Sequence, residues 1–194
     1  MIKAIIFDFF GVIGGSTYQL IAEKINVSRS ANQKIFDLHK ALDNGFLTQE
    51  EFLHQYAEIA GLSYHDFLKI YHDSNSRFAV SEVLLSYIAE LKAAGYKIGL
   101  LSNVNQEAYG EFIEPLLARG LFEKVMASYK TGLVKPNQEA FEQMALELGT
   151  DPASCIMVDD LETNCQGARA AGLTAIQYKN IHQFKECIAQ FLES

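Results

Sequence analysis

The sequence predicts an α/β protein in which a parallel β-sheet is sandwiched by helices and an all-helical block is inserted after the first strand. Three observations predict it. Short apolar runs bounded by turn residues recur along the chain, as expected of strands buried on both faces. Longer segments with helical apolar spacing separate those runs, which implies right-handed βαβ crossovers and a parallel, Rossmann-like sheet. Residues 16–80 break the alternation, because they carry helical spacing alone.

The first strand is Ile2 to Asp8, a short apolar run closed by an acid. Gly11, Gly14 and Gly15 follow, where the chain leaves the strand and a tight turn or hinge needs freedom in φ. Helices are then expected over Tyr18–Ile25, Ser30–Leu42, Thr48–Ala60 and Ser63–Tyr71. Thr48 with Glu51 three residues on reads as a capping box, and Asn44-Gly45 as a helix stop. Four more strands are expected at Tyr96–Leu101, Lys124–Ala127, Cys155–Val158 and Thr174–Tyr178. Helices are expected at Ser81–Ala94, Gln106–Arg119, Asn137–Leu148, Leu161–Ala171 and Ile181–Leu192. Residues 1–15 and 81–194 then make an α/β core, and residues 16–80 a helical-bundle cap.

The chain has 194 residues, a net charge of -8, 49% hydrophobic and 21% charged residues. That size and mix suit one sizeable globule, and not a disordered chain. The acidic balance argues against nucleic acid as a partner, since such domains carry a basic stripe. No apolar run approaches the ~18 residues of a membrane span. The opening residues lack the charged and apolar regions of a signal peptide, so a cytoplasmic location is expected. Cys155, Cys165 and Cys187 form no CxxC pair and read as reduced, mostly buried thiols.

Ligands of open parallel sheets bind beyond the carboxyl ends of the strands. Those ends hold Asp8, Ser102-Asn103, Lys135-Pro136 in the loop after the third strand, and Asp159-Asp160 with Asn164 one turn further. The segments around them are Ile5–Ile13, Gly99–Asn103, Gly132–Pro136 and Ile156–Asp160, with Ala168–Gly172. In this order they resemble the haloacid dehalogenase superfamily of hydrolases over nearly the whole chain. The early helical insert is similar to that family's cap.

The resemblance implies a phosphatase with roles that elementary chemistry supports. A carboxylate can attack phosphorus and split one displacement into two easier ones, which makes Asp8 the nucleophile. Asp8 and Asp160 offer hard oxygens for Mg²⁺, and the resemblance adds the carbonyl of Phe10. Asp159 is a further carboxylate of the metal site, where it and Asn164 stand behind the ligands or bind through water. Ser102 and the Asn103 amide hold phosphate oxygens, and Lys135 offsets the charge of phosphate and nucleophile. The expected partner is a small phosphorylated metabolite, such as a sugar phosphate, and the expected assembly a monomer or homodimer.

One position departs from the family pattern. Family phosphatases commonly carry a second Asp two residues after the nucleophile, as acid and base; here that position is Phe10. General acid-base catalysis contributes about 10²–10⁴-fold, so its loss biases turnover toward good leaving groups. Two other readings follow. A 2-haloacid dehalogenase also lacks the second Asp and commonly has Tyr there. It works without metal, however, and wants an early-cap arginine, for which only Arg29 is present. A non-catalytic binding protein has no physical need to keep Asp8, Lys135 and Asp160 together.

The cap is expected to choose the substrate, with Tyr18, His39, Asn44 and Arg77 as candidates. Phe36, Phe46, Phe52 and Phe67 are expected to form the cap's core, and Glu23, Glu50, Glu51 and Glu58 its solvated face.

Overall fold

The computed structural model describes residues 1–25 and 27–192, the side chains of residues 17–19 excepted. Five strands, β1 (Ala4–Phe7), β2 (Lys97–Ser102), β3 (Lys124–Ala127), β4 (Cys155–Asp159) and β5 (Thr174–Gln177), form one sheet in the order β3-β2-β1-β4-β5. Every neighbouring pair is parallel; Phe7 stands opposite Leu100 on one side and Val158 on the other. All four residues of β1 are fully buried, which explains why its sequence is an unbroken apolar run rather than an alternating one.

Helices cover both faces. Ile5 and Phe7 join α5 (Glu82–Ala93) and α11 (Ile181–Leu192) in one apolar cluster. Ala4 and Ile6 face α9 (Gln138–Glu147) and α10 (Glu162–Ala170) in another. Gly99 lies close under this layer, and a Cβ there would displace the Met144 methyl.

The expected helix over residues 106–119 is broken. It consists of α6 (Gln106–Ala108), a π-helical turn at Tyr109–Ile113 and α7 (Glu114–Leu117). Pro115 has no N–H for the carbonyl four residues back, and its ring crowds that carbonyl. The preceding turn widens, so that the Glu114 N–H donates to the Tyr109 carbonyl. The segment expected as a loop after β3 opens with a single helical turn, α8 (Ser128–Thr131), which Gly132 closes at φ 70°.

Between β1 and α5 lie α1 (Thr17–Lys24), α2 (Arg29–Asp43), α3 (Gln49–Ala60) and α4 (Tyr64–Ser76). They share a hydrophobic cluster of their own, built on Ile21, Leu38, Leu42, Phe52, Tyr56 and Phe67. The capping box forms as the sequence predicts: the Glu51 N–H donates to Thr48 Oγ1, and the Glu51 carboxylate accepts from the Thr48 N–H. Lys24 of α1 pairs with Asp73 of α4. The chain enters and leaves this block side by side, the Gly15 N–H donating to the Ala79 carbonyl and the Ser81 N–H to the Ile13 carbonyl.

Two of the four expected cap-core phenylalanines are not there. Phe36 is 53% exposed and Phe46 80% exposed. The buried stripe of α2 is Ile35, Leu38 and Leu42, and Phe36 lies about 100° round the helix from Ile35. Phe46 follows the left-handed Gly45 (φ 73°), which turns the chain out of the helix. The four glutamates are exposed as expected. Cys155 and Cys165 are buried, Cys187 is partly buried, and none forms a disulfide.

Candidate active site

The order of the strands reverses at β1, which lies between β2 and β4. That is the switch point where open parallel sheets bind their ligands. Asp8 leaves the end of β1, and its backbone N–H still pairs with the Val158 carbonyl at 2.9 Å. Asp159 ends β4 and Asp160 follows it. One carboxylate oxygen from each of Asp8, Asp159 and Asp160 lies within 4.8 Å of the others.

A single ammonium sits among them. Lys135 Nζ is 2.8 Å from Asp8 Oδ1 and 2.6 Å from Asp159 Oδ2, with its side chain almost wholly enclosed. Its backbone is held on both sides by one amide: Lys135 N–H donates to Asn103 Oδ1 at 2.9 Å, and Asn103 Nδ2 donates to the Lys135 carbonyl at 2.8 Å. α10 presses on the same loop, since a Cβ on Gly167 would collide with the Pro136 carbonyl.

Asp159 is saturated with donors. Besides Lys135, it accepts from Asn164 Nδ2 through both oxygens, at 3.0 and 3.1 Å, and from the Leu161 N–H at 3.0 Å. Asp8 Oδ1 accepts from the Phe9 N–H at 2.6 Å as well as from Lys135. The Ser102 hydroxyl is buried and has no hydrogen-bond partner among the described residues. Gly11, at φ 79°, passes so close to Asp160 that a Cβ would strike the carboxylate.

Crowding dominates the electrostatics. Burial, with Asp159 and Asp160 nearby, holds the Asp8 carboxyl well above its usual range despite Lys135. Burial first, then Asp159, pushes Asp160 up to about 6. Burial alone would lower Lys135, but Asp159 and Asp8 outweigh it and raise its pKa. Three carboxylates around one ammonium leave an excess of negative charge. Hard oxygens at this spacing, under-compensated by protein, fit a divalent cation such as Mg²⁺.

Phe10 faces the opposite way in character. Its ring packs on Phe9, Phe78 and Phe112, with centroids 4.9, 6.1 and 6.2 Å away. Position 10, two residues after Asp8, is therefore part of an aromatic cluster.

The expected cap candidates are occupied elsewhere. The His39 ring packs on Phe52 and Tyr56 inside the helical cluster. Asn44 caps α2, its Nδ2 donating to the Lys40 carbonyl. Arg77 is exposed and pairs with Asp73. The Tyr18 side chain lies outside the described residues. Two polar links instead join the helical block to the strand ends. Asn105 Nδ2 donates to Gln49 Oε1 at 2.9 Å, and Ser128 Oγ donates to the Asp43 carbonyl at 3.0 Å. Asn105, Ser128, Gln49 and Asp43 were not predicted from sequence. The one relevant signal was the helix stop at Asn44-Gly45, which ends α2 at Asp43.

An open parallel sheet with acids and a lysine gathered over its switch point places the chain among α/β enzymes that work at their strand ends. The model of the haloacid dehalogenase-like hydrolase family matches residues 2–172, and the chain belongs to that family. A sesquiterpene phosphatase of Aspergillus oryzae is 23% identical over 175 residues, covering 90% of this chain and 88% of that protein. A predicted haloacid dehalogenase-like family hydrolase from Porphyromonas gingivalis superposes with a TM-score of 0.72 at 25% identity, covering 100% of this chain and 99% of that one. An enzyme of the family from Bacteroides thetaiotaomicron, solved with magnesium and inorganic phosphate, has the same fold. Its TM-score is 0.66 at 22% identity, covering 92% of this chain and 95% of that one. No helix among the described residues is long and apolar enough to cross a membrane.

Proposed function

We propose that the protein is a Mg²⁺-dependent phosphatase that hydrolyses a small phosphate monoester, with sugar phosphates among the candidates, through an aspartyl-phosphate on Asp8. The observation that carries this reading is the gathering of Asp8, Asp159 and Asp160, with buried Lys135 bridging the first two, at strand ends that also hold the Ser102 hydroxyl, which has no hydrogen-bond partner among the described residues. Residues 1–15 and 81–194 act as the catalytic core and residues 16–80 as its cap.

Asp8 Oδ1 is pinned by the Phe9 N–H and Lys135, which leaves Oδ2 to attack phosphorus. Asp8, Asp160 and the Phe10 carbonyl would hold the cation. Asp159 already accepts from Lys135, Asn164 and Leu161, so it serves chiefly to aim the lysine, and Asn164 to aim Asp159. A bound Mg²⁺ would supply the positive charge that keeps Asp8 ionised and would make phosphorus more electrophilic. Lys135 neutralises a phosphoryl oxygen as Asp8 approaches it, and Ser102 Oγ donates to another.

Phosphate release measured across sugar, nucleotide, acyl and aryl phosphates, with Mg²⁺ and with a chelator, tests the reading. Magnesium-dependent release from at least one class is expected. Silence across the panel, joined by chloride release from a 2-haloacid, would overturn it.

A further inference from the structure

The aromatic cluster around Phe10 leaves the reaction without a proton donor at the usual place. The alkoxide leaving group of an alkyl phosphate needs one, because general acid catalysis supplies about 10²–10⁴-fold. A donor must be a titratable side chain that reaches the strand ends from another element.

One carboxyl in the helical block meets that description. Asp43 is the last residue of α2, and its backbone is fixed to the core: Ser128 Oγ donates to the Asp43 carbonyl at 3.0 Å. Ser128 stands at the end of β3, and its hydroxyl also accepts from the Val104 N–H, two residues beyond Ser102. Asp43 is therefore held over the same strand ends as the site. Its carboxylate has Lys135 as its charged neighbour, the ammonium already placed between Asp8 and Asp159. No side chain among the described residues donates to that carboxyl, so docking of the cap does not consume it.

The surroundings favour its acid form. Asp43 keeps part of its surface open, yet burial pushes its carboxyl up to about 7, with Lys135 opposing. On its own helix the titratable groups one turn earlier are His39, which burial pushes down to about 3 and keeps neutral, and the exposed Lys40. From the core the charged group that faces it is Lys135, backed by Asp8, Asp159 and Asp160. A carboxyl poised near neutrality suits a group that must both give and take a proton.

We propose, on the phosphatase reading, that Asp43 is the general acid and base of this enzyme, delivered by the cap in place of the absent acid at Phe10. As Asp8 Oδ2 bonds to phosphorus and the ester P–O bond breaks, the Asp43 proton passes to the leaving oxygen and the alcohol departs. Asp43, now a carboxylate, takes a proton from water. That water bonds to phosphorus, the bond to Asp8 breaks, and inorganic phosphate and the Asp8 carboxylate are released. A cap that carries the acid couples proton transfer to closure, so the reaction waits until the substrate is enclosed.

The test compares wild type, Asp43→Asn and Asp8→Asn, all full length, on an alkyl phosphate and on 4-nitrophenyl phosphate with Mg²⁺. Asp43→Asn is expected to lose about 10²-fold or more on the alkyl ester and far less on the aryl ester, whose leaving group needs no proton. An equal loss on both would mean that Asp43 only docks the cap, and would overturn the proposal; so would no loss on either. Inactivity of Asp8→Asn with a uniform loss in Asp43→Asn would sink the Asp43 role alone. Wild type inactive on every phosphate would sink the phosphatase reading with it. Infrared difference spectra of the metal-free proteins give an independent readout. Near neutral pH the protonated-carboxyl absorption, to which Asp8 and Asp160 also contribute, should be weaker in Asp43→Asn than in wild type, and equal absorption in the two proteins would also overturn the proposal.

Discussion

Lys135 Nζ stands 2.8 Å from Asp8 Oδ1, and almost none of that lysine reaches solvent. The same nitrogen is 2.6 Å from Asp159. Removing one partner of a buried ion pair costs about 3–5 kcal/mol, because the remaining charges stay buried and unpaired. Lys135→Met is therefore expected to lower the unfolding temperature of the metal-free protein by roughly 10 °C. Millimolar Mg²⁺ should recover part of that loss by taking over the lysine's charge. Thermal unfolding with and without a chelator reads both effects, and a variant as stable as wild type would show that the three acids are not charged together.

Asp8→Asn keeps the shape and the acceptor oxygen but removes the nucleophile's charge. Turnover on an aryl phosphate should vanish while far-UV circular dichroism stays unchanged. Wild-type rates in this variant would displace Asp8 from the reaction.

Asp160→Asn should raise the Mg²⁺ concentration for half-maximal activity by about tenfold or more. Gly11→Ala should do so as well, for a different reason. Its Cβ would enter the space of the Asp160 carboxylate, and its φ of 79° is one that alanine resists. A magnesium titration of both variants checks the pair; unchanged metal dependence in Asp160→Asn would remove it from the ligands.

Two groups of the helical block give stability changes of opposite sign with pH. Asp43 is raised to about 7 in the fold, so its contribution is complete below its unfolded pKa of about 3.9 and is lost as pH rises through 7. His39 is lowered to about 3, so its contribution is complete above about 6.5 and is lost as pH falls. In chelator, Asp43→Asn should unfold at a higher temperature than wild type at pH 8, with the gap closing by pH 4. His39→Phe should flatten the loss of stability between pH 6.5 and pH 4. A pH-independent gap in either variant would contradict these assignments.

The strand-end acids were legible because an apolar run closed by an acid is a local pattern, and β1 and β4 needed only to be parallel neighbours for Asp8 and Asp160 to meet. Thr48 and Glu51 were legible for the same reason, three residues apart on one helix end. Phe36 and Phe46 misled because aromatic content alone does not say which side of a helix is covered. Asp43 was missed because its approach to Lys135 exists only once α2 docks over β3, through a hydrogen bond between residues 85 positions apart. The π-helical turn before Pro115 was missed because helical spacing survives a single widened turn.

The central position of β1 also dictates when the site can come into being. Ala4 pairs with Lys97 on one side and with Cys155 on the other, so the strand that delivers Asp8 is made before both of its neighbours and is completed only once β4 joins it. Closing loops of that length is slow, and such non-local pairing lowers the folding rate. During synthesis the helical block can collapse on its own apolar cluster while Asp8 still waits for β4 to leave the ribosome. A nascent or C-terminally truncated chain that ends before Lys135 therefore carries the nucleophile without its counter-charge, which keeps the chemistry silent until Lys135 has been made.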